Sequence, residues 1–212
     1  MPSTPSTRSV KIDQDERGGW SSDRPRRDGA PARPADLSVR SRVLAPAATL
    51  RYAPGSLLTI VSGAPGAGEE LAQRIVEDRS AFLSPGQVRG LLPGRVADEA
   101  IEERAAELLM AAVLKRIEAN ESVALAIEGL GAEDRERFVR PAAALKRPCH
   151  LILVESPRDQ VADEDRPALN RLRKALDAGA LGAEGFHTVL RLGGGSIAEV
   201  KRGVVRAESR DE

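Results

Sequence analysis

Between Gly63 and Glu70 the chain reads Gly63-Ala64-Pro65-Gly66-Ala67-Gly68-Glu69-Glu70. Gly63 and Gly68 stand at the spacing of the phosphate-binding pattern G-x-x-x-x-G-K-[ST]. In that pattern, backbone N–H groups and a helix N-terminus face an anion. A lysine neutralises phosphate charge and a hydroxyl ligates Mg²⁺. Here Gly63, Gly66 and Gly68 supply the turn, but Glu69 occupies the lysine position and Glu70 the hydroxyl position. A like-charge contact at ~4 Å costs roughly 4 kcal/mol at an effective dielectric near 20. The turn therefore keeps the backbone of a nucleotide cradle and loses its cation.

Other side chains offer less. Arg166, Arg171 and Arg173 form a basic run that suits a phosphate clamp, or equally a surface network in which Arg171 pairs with Asp165 or Asp177. Five lysines exist, Lys11, Lys115, Lys146, Lys174 and Lys201, and only Lys174, in that basic run, is a plausible substitute for the missing one. His150 and His187 each precede an apolar run and have no Cys or His at metal-ligand spacing. Both read as structural, no metal is expected, and Cys149 reads as a small core residue. Asp163-Glu164-Asp165 reads as a solvated helix start favoured by the macrodipole.

The elements that must position these groups follow from the apolar pattern. Leu57-Leu58-Thr59-Ile60-Val61, Ser122 to Ile127 and Leu151 to Val154 are continuous apolar runs, as in strands buried on both faces. Shorter strands are expected around Ala81-Phe82-Leu83 and Thr188 to Leu192. Helical periods fall after the glycine turn, through Val88 to Leu92, from Asp98 to Ala119, from Glu133 to Lys146 with a break or restart at Pro141, from Asp165 to Ala178 and from Ser196 to Glu208. Alternating strands and helices predict an α/β domain with a parallel sheet of five strands and helices on both faces. In such sheets ligands bind beyond the carboxyl ends of the strands, so site residues are expected just after Val61, Leu83, Ile127 and Val154.

Four segments together carry a resemblance. Gly63–Glu70, Ser84-Pro85-Gly86-Gln87-Val88-Arg89, Asn120 to Glu128 and Asp134-Arg135 resemble the polynucleotide kinase/zeta-toxin-like P-loop kinases, a group often labelled AAA-family or ATP-binding. The resemblance spans about residues 56–195. It implies a three-layer, nucleoside-kinase-type P-loop NTPase domain with strand order 2-3-1-4-5. It also implies an S-x-D-x-x-R element, whose Asp activates an accepting hydroxyl and whose Arg binds acceptor phosphate. Ser84 and Arg89 match, while Gly86 replaces the Asp. Glu128 stands where the family has a further acidic residue, usually Asp. The family's arginine-rich lid corresponds to Arg166 through Arg173, and Leu181 to Phe186 is also similar to family members.

Glu69, Glu70 and Gly86 depart together at positions serving one reaction. The expectation is a degenerate kinase-like domain, deficient in ATP binding and phosphoryl transfer, acting by binding or regulation. No catalytic residue is expected, Gly86, Arg89 and Glu128 being vestigial positions, and no cofactor. The alternative is a working ATP-dependent kinase of a small molecule or a nucleic-acid end, with ATP and Mg²⁺ and a rewired loop.

Composition sets the frame. The chain has 212 residues, zero formal charge, 41% hydrophobic and only 2% aromatic residues. Such a core of small aliphatics suits helices on a parallel sheet, and zero charge gives no case for nucleic acid or membrane as partner. A protein partner of unknown identity is the expectation. The single cysteine excludes a disulfide framework, and with no apolar span or signal-type segment a cytoplasmic location is expected. Residues 1–50 read as a disordered arm: positions 1–42 hold nine basic and six acidic residues and no sustained apolar period. Trp20 lies in that arm, and the domain is expected over 56–212.

Overall fold

The computed structural model describes residues 40–205, so Trp20 and most of the expected arm lie outside it. In chain order the elements are β1 (Arg42–Leu44), β2 (Thr49–Tyr52), β3 (Leu57–Ser62), α1 (Ala67–Ile75), β4 (Phe82–Leu83), α2 (Pro85–Gly90) and α3 (Ile101–Glu118). They continue as β5 (Val123–Ile127), α4 (Ala132–Ala144), β6 (Cys149–Val154), α5 (Arg166–Asp177), β7 (Thr188–Leu192), α6 (Gly195–Glu199) and β8 (Arg202–Val205).

The protein is an α/β fold with a parallel sheet of six strands in the order β1-β7-β6-β3-β5-β4. The five expected strands take their implied places, β4-β5-β3-β6-β7, and the count of five is corrected to six by β1 at the edge beside β7. β1 and β2 both precede residue 56, where the domain is expected to begin. Arg42-Val43-Leu44 is too short for a period to declare itself, and Val43 is exposed, as an edge strand allows.

The expected last helix is also corrected. A helix of five residues gives way to β8, which pairs with β2 in a separate parallel ribbon. Gly203 lowers helix propensity there, and the β-branched Val204 and Val205 favour an extended chain. Conversely, Pro141 lies inside α4 without ending it.

β3, β5 and β6 are buried along their whole length, which is why they read as unbroken apolar runs. Leu57, Val61, Leu125 and Leu153 pack one face against α3, α4 and α5, with Phe138 and Phe186 as the largest fully buried side chains. Leu58, Ile60, Ile152 and Leu190 pack the other face against α1 and the ribbon. Two segments that carry the family resemblance meet in a structural contact. Arg135, nearly fully buried, donates 2.8 and 2.7 Å hydrogen bonds to Glu184 and a third of 2.8 Å to the Leu130 carbonyl. Among the described residues no helix is long and apolar enough to cross a membrane.

Candidate functional site

β3 ends at the middle of the sheet's carboxyl edge, and the chain turns through Gly63–Gly66 into α1. Gly66 adopts φ 77°, the left-handed conformation glycine tolerates best. Gly63 is required by close approach: a Cβ there would lie 2.9 Å from Leu169 Cδ2, with Val161 at 3.2 Å. Leu169 and Val161 are themselves buried core residues. The segment matching the family's lid is thus packed down on the turn as a fixed wall.

Ser62 Oγ accepts from the Ala64 amide at 3.2 Å and pairs with Ser156 Oγ at 3.0 Å. The Ala67 and Glu70 amides close on the Ala64 and Gly66 carbonyls. Pro65 has no N–H to offer. The Gly66, Gly68 and Glu69 amides have no acceptor among the described residues, so a short backbone cradle survives.

The side chains around it are acidic. The turn, Glu69, Pro85, the end of β5 at Ala126–Glu128 and Asp165 line a cavity of about 340 Å³, and no lysine or arginine is in its wall. Glu69 is held by Gln73 Nε2, which donates to Oε1 at 3.3 Å. Its carboxylate lies against Gly86, where an added Cβ would meet Oε2 at 2.8 Å. Gly86 is not among the residues with positive φ, and the atom an added Cβ would meet is the end of the flexible Glu69 side chain, which can shift away. Glu69 and Gly86 are therefore neighbours across the turn. Ser84, which matches the family, caps α2 by accepting from the Gln87 amide at 3.1 Å.

Glu70 does not join Glu69. It faces a second hollow, of about 490 Å³, with Arg74, Glu155, Ser156, Gln160 and Ile197. The two glutamates thus line different hollows, as neighbours in sequence on a helix point about 100° apart.

The arginines are committed elsewhere. Arg89 is bound by both oxygens of Glu128, Nη1 to Oε2 at 3.1 Å, and reaches Glu102 at 3.2 Å. These bonds, the Glu128 one foremost, raise its pKa above the ordinary guanidinium value. Arg166 pairs with Asp163 and donates to the Arg158 carbonyl at 3.0 Å. Arg173 donates to Glu155 and, at 3.1 Å, to Asn170. Arg171 is exposed and makes neither expected ion pair; Asp177 is taken instead by Arg191, at 3.6 Å. Lys174 is exposed and lies outside the cavity wall.

Two residues were missed in the sequence. Asp165 heads α5 without capping it and turns to the cavity. Glu155 directly follows β6 and gathers Arg173 and Arg191, the latter at 2.6 Å. Burial pushes the Glu155 carboxyl up, but the Arg173 and Arg191 guanidiniums outweigh it and hold the pKa below the ordinary carboxylate value. Its position just beyond Val154 was the available signal. Cys149 is fully buried, and its thiol is pushed up to about 12 by that burial, as a core residue's would be. Among the described residues no group of three His, Cys, Asp or Glu side chains is placed to hold a metal ion.

The fold and its edge site thus define a parallel α/β domain with a glycine turn at the sheet's carboxyl edge. No family model matches the chain, and no curated protein matches it. Among solved structures, the chain is similar to that of the Deinococcus radiodurans tunicamycin resistance protein, at 14% identity over 64% of this chain and 85% of that one, with a TM-score of 0.34.

Proposed function

We propose that this is a degenerate P-loop kinase-like domain that neither holds Mg·ATP productively nor transfers phosphate, and that acts by binding or regulation. The observation that carries the reading is the cavity wall. Glu69, Glu128 and Asp165 stand around the backbone cradle, and among the described residues no lysine or arginine lines it, Arg89 reaching Glu128 from outside the wall. A polyphosphate brought there meets repulsion from Glu69 and Asp165 where a kinase supplies a lysine and Mg²⁺. Glu128 is already matched by Arg89, so an acceptor phosphate would have to compete with that carboxylate for the guanidinium. Gly86 supplies no carboxylate for an accepting hydroxyl, and the Glu69 carboxylate lies beside the place one would take. The residues present do not fit Mg·ATP.

Thermal unfolding with millimolar Mg·ATP tests the reading. Saturation at ~100 times Kd stabilises a protein by about 2.7 kcal/mol. The expected shift is nil; a shift of several degrees at micromolar ATP overturns the reading in favour of a rewired kinase.

A further inference from the structure

His150 takes no part in the site above. It is the second residue of β6, at the opposite end of the strand from Glu155. Its residue surface is nine-tenths buried. Nδ1 lies 2.8 Å from Thr188 Oγ1, while Nε2 is buried with no hydrogen-bond partner among the described residues. The ring lies 4.7 Å from the Tyr52 ring, centroid to centroid, tilted by 42°.

The groups around it are the wrong ones for a cation. In the cross-strand row its neighbours are Leu58 on β3 and Thr188 on β7, with Arg42 of β1 one strand further on. His187 is 6.5 Å away, ring to ring, and β2 contributes Tyr52. Burial, and secondarily His187, lower the His150 pKa to about 4; no carboxylate opposes them. An imidazolium carries two N–H donors. Thr188 can accept one, and the other has no acceptor. The Tyr52 ring offers a weak attraction but no lone pair in position.

What Tyr52 holds makes this consequential. It ends β2, whose only strand partner among the described residues is β8. An isolated two-stranded ribbon is marginal in water, and this one is held by packing, with Leu50 and Tyr52 in the core. β8 in turn braces α1: Gly203 bridges Val76 and packs on Ile75, and Arg202 pairs with Glu77. α1 is the helix that the glycine turn opens.

We propose that protonation of His150 releases Tyr52 and with it the β2–β8 ribbon, so that acid unlatches the brace behind the glycine turn while the six-stranded sheet stays paired. The charged ring reaches water by displacing the Tyr52 strand. The sheet strands on either side of it, β3 and β7, are held by full parallel ladders.

The test is amide hydrogen exchange on the full chain at about pH 7 and about pH 4.5, corrected for the intrinsic pH dependence of exchange. Protection over 49–52 and 202–205 is expected to fall at least about tenfold more than over 57–62 and 123–127. His150→Phe, which keeps a ring against Tyr52 and cannot charge, should abolish that selective loss, and His187→Phe should keep it. Equal loss in all four segments, no loss at all, or a selective loss that survives in His150→Phe overturns the proposal. Should His150→Phe not fold, the chain's two histidines give a second measurement by proton NMR. Ribbon opening must then share its midpoint with the more acidic histidine titration, and a midpoint elsewhere overturns the proposal.

Discussion

At the carboxyl ends of the parallel strands the protein gathers carboxylates; at the amino end of β6 it buries neutral groups. Glu155, Glu128, Glu69 and Asp165 stand along the first edge, and Cys149, His150 and Tyr52 lie near the second, kept neutral by burial. The carboxyl edge is itself graded. Glu155 takes two guanidiniums, Glu128 is paired with Arg89, and Glu69 and Asp165 have no cation among the described residues. The edge at the glycine turn therefore keeps two carboxylates that no described cation pairs. On the function proposed here, a glycine turn of phosphate-binding spacing does not suffice for a phosphate site, because the side chains at its rim decide the sign of the field.

Acid separates the two edges most strongly. The His150 pKa is depressed from 6.5 to about 4 in the folded state, so the unfolded chain binds the proton first. Its contribution is fully present above pH 6.5 and is lost as pH falls to about 4, about 3 kcal/mol in all. The Glu155 pKa is lowered instead, so its contribution is lost only below the ordinary carboxylate range. Urea unfolding of the parent and His150→Phe across this interval is expected to show the upper step in the parent alone. Coincident curves would remove the contrast between the edges.

Glu155→Gln comes next. It strips the partner from Arg173 and Arg191 at a position only 14% exposed. An expected loss of about 1–2 kcal/mol, read from the urea midpoint at constant slope, follows from losing the shared carboxylate while Arg191 keeps Asp177 and Arg173 keeps Asn170. Gly86→Asp should cost up to about 1 kcal/mol, because its carboxylate comes to stand beside that of Glu69. In the Glu69→Lys background that cost should vanish or reverse, and a double-mutant cycle reads the coupling. Additive costs would show that Glu69 and Gly86 are independent departures. The smallest effect is expected for Asp165→Asn, within about 0.5 kcal/mol, since the carboxylate neither caps α5 nor pairs.

The buried strands and the glycine turn were legible because both faces of β3, β5 and β6 are covered, which leaves an unbroken apolar run. β1 and β2 were not: three and four residues are too few to show a period, and their pairing partners lie far along the chain, in β7 and β8. Of the site, Glu69, Gly86 and Glu128 were found because a motif fixes their positions. Glu69 and Glu70 looked equivalent in sequence, and only the helix separates them into different hollows. The destinations of Arg89, Arg166 and Arg173 depend on partners 39, 3 and 18 residues away, and a flexible guanidinium can choose among many such carboxylates.

The central claim concerns the sign of the field at the glycine turn, and calorimetric titration with Mg·ATP measures it most directly, parent and Glu69→Lys side by side. The account predicts no measurable heat of binding for the parent up to millimolar nucleotide, and measurable affinity once the carboxylate is replaced by an ammonium. A parent that binds Mg·ATP and is weakened by Glu69→Lys would make Glu69 a ligand of the nucleotide complex, and would contradict the account.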